Sequence, residues 1–144
     1  AMLDMFWDEQ NGGLYFSGKE NESLIIKTKD LYDGAIPSGN AVAALNLLRL
    51  SRMTGNVGLE KKAEQLIGAA SGTVRTYPAG YTQLLGAIDF LIGPSQEIVI
   101  AGDPALPDTR EMIKTVQRSF FPTRYCYFIL PGPMRADSWS WSLF

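Results

Sequence analysis

Apolar and polar positions follow three different textures along the chain. In AVAALNLLRLSRMTG, residues 41–55, apolar side chains recur at helical spacing. Val42, Leu45, Leu48 and Leu50 line a face that Ala41, Ala44, Leu47 and Met53 widen, and Asn46, Arg49, Ser51 and Arg52 make the polar remainder. So wide a face predicts a helix with neighbours on more than one side. Gly55 is its stop, because a glycine after the last turn enters the left-handed region without a Cβ penalty. LEKKAEQLIGAAS, 59–71, predicts a second helix with Leu59, Ala63, Leu66, Ile67 and Ala70 inward and Lys61, Lys62, Glu64 and Gln65 outward. YPAGYTQLLGAIDFLIG, 77–93, predicts a third, with Pro78 in its first turn and Gly93-Pro94 at its end. Leu84, Leu85, Ile88, Leu91 and Ile92 make its core face, while Gly80, Gly86 and Ala87 invite close approach by another backbone.

The flanks read differently. Asn11-Gly12-Gly13 precedes a β-prone LYFS, and ESLIIKTKD alternates from Ile26 onward. A β-hairpin of about residues 13–17 and 24–28, joined by GKENE, is the expectation; MLDMFW before it reads as the tail of a helix. EIVIAG, 97–102, is a short continuous apolar run that suits a strand covered on both faces. In PDTREMIKTVQRSF, Asp108 and Glu111 resemble a capping box, and Met112, Ile113, Val116 and Phe120 repeat as a helical stripe. RYCYFIL, 124–130, reads as a second strand, so the region predicts a βαβ unit with parallel strands. The last stretch, PGPMRADSWSWSLF, has no period, but Trp139, Trp141 and Phe144 are apolar enough to expect docking. The fold class expected is α+β: a helical array with a small hairpin over 1–94, a βαβ element over 95–131, and an irregular tail over 132–144.

Composition narrows the chemistry. The 144 residues suit one domain, and 46% hydrophobic with 19% charged residues is an ordinary globular mix. A net charge of −2, with 13 scattered basic residues, gives no footprint for nucleic acid or an anionic membrane. No apolar run approaches the roughly 20 residues of a membrane span, and AMLDMFWDEQ lacks a signal peptide's basic region and long apolar core, so a cytoplasmic location is expected. The absence of histidine excludes imidazole acid/base chemistry and histidine metal ligation within the chain. A single cysteine, Cys126, excludes an internal disulfide and a CxxC redox pair, and its setting in RYCYFIL reads as a packed, inert thiol. No metal or cofactor is expected. Catalysis falls to carboxylates, hydroxyls, Lys or Tyr, or to another chain.

Three stretches in order, FWDEQNGGLYFSG, YDGAIPSGNAVAALNLLRLSRMTG and YPAGYTQLLGAIDFLI, together with IVIAGDP, resemble the C-terminal part of the YyaL-like proteins, also called spermatogenesis-associated, thioredoxin-domain-containing proteins. The likeness covers about residues 3–125. It implies part of an (α/α)6 toroid, similar to N-acylglucosamine 2-epimerases and six-hairpin glycosidases, with three or four of the toroid's helices here. It also implies a thioredoxin-like domain elsewhere in family members. The tail departs from the family pattern, as a truncated or frame-shifted reading frame would.

Two loops carry the candidate chemistry. YDGAIPSGN brings Asp33, Ser38 and Asn40 to a helix start, where free N–H groups and the dipole suit an anionic or polyhydroxyl ligand. The plainer role for the same residues is capping. WDEQNGG sets Asp8 and Glu9 behind Trp7. Neighbours on an extended segment point oppositely, so Asp8 pairs more plausibly with Asp33 than with Glu9. The plainer role of Asp8 is to organise the Asn11-Gly12-Gly13 turn. Asp8 and Asp33 are the catalytic candidates. Trp7, Tyr32, Ser38, Asn40 and Tyr81 are the ligand-binding candidates, for a sugar-like small molecule. Gly102-Asp103-Pro104 matches no phosphate-loop pattern. Lys27, Lys29, Lys61 and Lys62 read as solvated, and Tyr15, Phe16, Tyr77, Tyr81 and Phe90 mostly as core, with Tyr77 and Tyr81 able to share a cavity with Asp33. The alternative to a carbohydrate-related fragment, inactive alone, is a non-catalytic scaffold that self-associates or is completed by the domains it lacks.

Overall fold

The computed structural model describes residues 2–19, 27–94, 96–103, 105–119 and 124–129. The chain divides into two compact units, Ala1–Ile92 and Gly93–Phe144.

The first unit is built on helices α1 (Met2–Phe6), α2 (Gly39–Thr54), α3 (Val57–Thr76) and α4 (Thr82–Ile92), with a 3-10 turn at Pro78–Gly80. Helix α2 packs along both α3 and α4. Its buried positions are Asn40, Ala41, Ala43, Ala44, Leu47, Leu48 and Ser51. This arc is rotated from the expected one: Val42 and Leu50 are exposed. Two flanking helices select the row of small alanines, which lets them approach closely. Leu48, Leu66 and Leu84 are completely buried, each contributing about 1.5–3 kcal/mol relative to exposure. On α4 the buried row is Leu84, Ala87 and Phe90. Leu85, Ile88 and Leu91 are half-buried and Ile92 is exposed, against the expected core face.

Local signals fix the helix ends. The Ser38 side chain accepts from the Ala41 N–H at the start of α2, and Gly55 ends the helix at φ 69°. The Asn56 side chain accepts from the Gly58 N–H and starts α3 at once. Helix α3 runs longer than its apolar spacing indicated, because Val74 adds a further buried turn. Pro78 opens the 3-10 turn, whereas α4 begins at Thr82.

The strand expected over 13–17 does not form. Leu14 makes an isolated antiparallel bridge with Trp7, and the Phe16 N–H donates to the Thr28 carbonyl at 2.9 Å. Residues 24–26 of the expected partner strand lie outside the described residues.

In the second unit, β1 (Gln96–Ala101) and β2 (Arg124–Ile129) pair in parallel, from Gln96↔Arg124 to Ala101↔Ile129. Helix α5 (Pro107–Gln117) lies between them in sequence and packs on β1. Ile100 is buried but Val99 is 53% exposed, so β1 is not covered on both faces. The capping box is also corrected: Leu106 is the N-cap, makes no side-chain cap, and Pro107 takes the first helical position. A proline there needs no N–H partner. On α5, Thr109 is buried and Met112 exposed. The side chains of Phe120 and Cys126, and the tail with Trp139, Trp141 and Phe144, lie outside the described residues. Among the described residues no helix is long and apolar enough to cross a membrane.

Candidate functional site

Asp33 is buried, and both of its carboxylate oxygens are occupied. Oδ1 accepts from the Ser38 N–H at 2.8 Å, and Oδ2 accepts from the N–H groups of Gln83 at 2.9 Å and Leu84 at 3.3 Å. Its own N–H donates to the Gly80 carbonyl at 2.8 Å. One carboxylate thus satisfies orphan donors in the first turn of α4, at the positive end of that helix, and holds the loop that leads into α2.

Asp8 is equally committed. Oδ1 accepts from the Gln10 N–H at 2.9 Å and the Asn11 N–H at 3.2 Å. Oδ2 accepts from Asn11 Nδ2 at 3.2 Å and Lys29 Nζ at 2.7 Å. Lys29 also donates to the Gly12 carbonyl. Lys29 first, then the Gln10 N–H and the side chains of Tyr15 and Asn11, hold the Asp8 carboxyl well below the usual range, against the opposing effect of burial. The hydrogen bond to Asp8 raises the Tyr15 hydroxyl in turn. Lys29 is therefore no solvated cation: its side chain is only 16% exposed.

Asn40 does not cap α2. Its Nδ2 donates to the carbonyls of Leu14 at 2.9 Å and Asp30 at 2.8 Å, and its Oδ1 accepts from the Leu14 N–H at 2.7 Å. Ser38 is the cap, accepting from Ala41 at 3.1 Å and donating to the Leu31 carbonyl at 3.3 Å.

The aromatic candidates separate. Trp7 is buried, with Lys62 Nζ 4.3 Å from its ring centroid, so that face is already stacked. Tyr32 is half-exposed and meets the buried Tyr81 edge-on, ring centroids 5.9 Å apart at 85°. Tyr77 is also half-exposed. Both Tyr32 and Tyr77 crowd Gly80, where a Cβ would lie 2.5 Å from the Tyr32 ring and 2.8 Å from the Tyr77 ring. Phe16, expected in the core, is 80% exposed.

The first unit has two notable clefts. One, of about 530 Å³, runs between the Glu9–Gly12 turn and Gln65, Gly68 and Ala69 of α3, with Lys29 on its wall. The other, of about 290 Å³, includes Phe6, Leu14, Tyr15 and Asn40. Of the seven candidates only Asn40 lines either of these two clefts. Among the described residues no group of three or more acidic or cysteine side chains could hold a metal ion. Sequence reading missed Lys29 and Tyr15 as partners of Asp8. Alternation near Ile26 pointed to a strand there, and nothing local marked Lys29 as paired.

No family model matches the chain. Over 121 residues, 83% of the chain, it is 35% identical to spermatogenesis-associated protein 20 of Rattus norvegicus and to that of Homo sapiens. It is 34% identical to the Mus musculus protein over the same length. The match spans 15% of the length of each of these relatives. With a third of its residues shared across most of its length, the chain belongs to the spermatogenesis-associated protein 20 family.

Proposed function

We propose that the chain is a non-catalytic architectural segment of a larger helical assembly: a few helices of an (α/α) toroid, completed by other parts of a longer family protein or by a second copy. The observation that carries this reading is the occupancy of all four carboxylate oxygens of Asp8 and Asp33 by neighbouring groups of the same fold. A general acid or base needs an oxygen facing substrate. Here each oxygen closes a turn or begins a helix instead. The exposed Ile36, Val42, Leu50 and Ile92 support the need for further packing partners. The setting proposed is cytoplasmic. Sedimentation of the purified chain tests the reading, alone and mixed with the remaining portion of a family protein. Self-association or complex formation at micromolar concentration supports it, and a clean monomer in both samples refutes it.

A carbohydrate-related role is the second reading, favoured by one feature. Tyr32 and Tyr77 present half-exposed rings beside Gly80 and the Asp33 loop. Such rings suit the apolar face of a sugar, with the Asp33 loop acting as support and not as an acid. Titration of the chain with a panel of mono- and oligosaccharides, followed by NMR, tests this. Shifts confined to this loop and lost in Tyr32→Ala support it; an unchanged spectrum across the panel removes it.

A further inference from the structure

Asn11 and Gly12 form the residue pair in which asparagine is chemically weakest, because glycine has no side chain to hinder its amide nitrogen. The backbone nitrogen of Gly12 attacks Cγ of Asn11. A C–N bond forms, the Cγ–Nδ2 bond breaks, ammonia leaves, and a five-membered succinimide results. Water then opens the ring at either carbonyl, giving aspartate or isoaspartate. Overall one water is consumed and one ammonia is released, with no oxidant or reductant. The attacking nitrogen must lose its proton and reach Cγ, so an exposed, rotatable peptide reacts and a held one does not.

In the fold all the reacting parts are tied to one residue. The Gly12 N–H donates to the Asp8 carbonyl at 3.0 Å. Nδ2 of Asn11, the leaving group, donates to Asp8 Oδ2 at 3.2 Å, and the Asn11 N–H donates to Asp8 Oδ1 at 3.2 Å. Asn11 is exposed, yet Gly12 is buried. Gly12 adopts φ +71°, and a Cβ there would lie 2.9 Å from the Gln65 carbonyl oxygen. The Cα of Gly12 therefore rests against the backbone of α3, and the hydrogen bonds to Asp8, not a lack of space, hold the peptide in place. Asp8 itself is held by Lys29, which also reaches the Gly12 carbonyl.

We propose that Asn11-Gly12 is a gated deamidation site, closed by the 8–13 turn and latched by the Lys29–Asp8 pair. Reaction requires the turn to open locally. The change is one-way. A carboxylate at position 11 cannot donate to Asp8 Oδ2; it sets a second negative charge beside Asp8, where Lys29 is already shared between two acceptors. Isoaspartate also lengthens the backbone by one carbon, which disrupts the seating of Gly12 against Gln65. A turn that reacts does not reclose, and the product marks chains whose turn has opened.

The test holds the purified chain at mildly alkaline pH and follows Asn11 by peptide mapping with mass spectrometry. Three samples are compared: native chain, chain unfolded in urea, and Lys29→Met. The native rate should fall below the unfolded rate by at least about tenfold, equivalent to about 1.4 kcal/mol of opening free energy. A folded Lys29→Met chain should react several-fold faster than native. If that variant does not fold, the wild-type chain in a series of sub-denaturing urea concentrations decides. Deamidation should then rise in proportion to hydrogen exchange at the Gly12 N–H. Equal native and unfolded rates, a folded Lys29→Met no faster than native, or deamidation flat while Gly12 exchange rises would each overturn the proposal.

Discussion

Replacing Asp33 by Asn is the sharpest perturbation of the first unit, because the two side chains match in shape and differ in what they can accept. The carboxylate takes three backbone N–H groups, from Ser38, Gln83 and Leu84. An amide offers a single oxygen, so whichever way it turns, its NH2 faces at least one N–H donor. Hydrogen bonds to a charged group contribute about 1.5–3 kcal/mol each, and a negative charge at a helix start adds about 0.3–1 kcal/mol. Loss of one such bond, the charge, and the new donor–donor contact comes to about 2–4 kcal/mol, against a domain stability of about 5–15 kcal/mol. With a urea slope near 2 kcal/mol/M, the unfolding midpoint should drop by about 1–2 M with the slope unchanged. Helical circular dichroism across a urea titration reads this directly. A midpoint within about 0.2 M of wild type would refute the assignment of Asp33 as a structural clamp. It would also revive the acid/base reading, since a catalytic carboxylate can be replaced at little or no cost in stability.

Asn40→Ala removes both partners of Leu14 and one of Asp30, and should cost about 2–4 kcal/mol in the same titration. Gly12→Ala places a Cβ at positive φ and against the Gln65 carbonyl; a loss of about 2 kcal/mol or more in thermal melts is expected, and a neutral result would show that the turn does not seat on α3. Asp8, held ionised by Lys29, has a lower pKa folded than unfolded, so its stabilisation is present above about pH 3.9 and is lost as pH falls through that value toward the folded one. Melts over the acid range should show this decline for wild type and a flatter profile for Lys29→Met.

What could be read from the sequence was whatever repeats locally. Helices α2, α3 and α4 were visible in their side-chain periods, and the stop at Gly55 in a single residue. The extent of α2's buried arc was not, because which face is covered depends on where α3 and α4 lie. Ser38 was legible as a cap, since its bond is to Ala41, three residues on. The pairing of Asn40 with Leu14 was not legible, since the two lie 26 residues apart, and capping was the role its position suggested instead. Asp33 drew notice as a loop acid, but its ties to Gln83 and Leu84, 50 and 51 residues off, left no local trace. Glycine-rich turns rich in acids look alike whether the acids face a ligand or the backbone. Lys29 was misjudged for the same reason: a lysine in an alternating stretch reads as solvent-facing until the turn that pairs with it is placed.

The amide of Asn40 also works as a substitute peptide group. It donates to and accepts from the same residue, Leu14, as an adjacent strand would. On its other side Leu14 is bridged to Trp7, with the Tyr15 N–H bonded to the Phe6 carbonyl and the Asp8 N–H to the Gly13 carbonyl. Leu14 therefore offers no open edge to a foreign chain. An extended apolar stretch such as LYF is a template for intermolecular strand addition when its backbone is free. A single buried side chain on α2 closes it, so conditions that displace Asn40 should favour aggregation before they favour general unfolding.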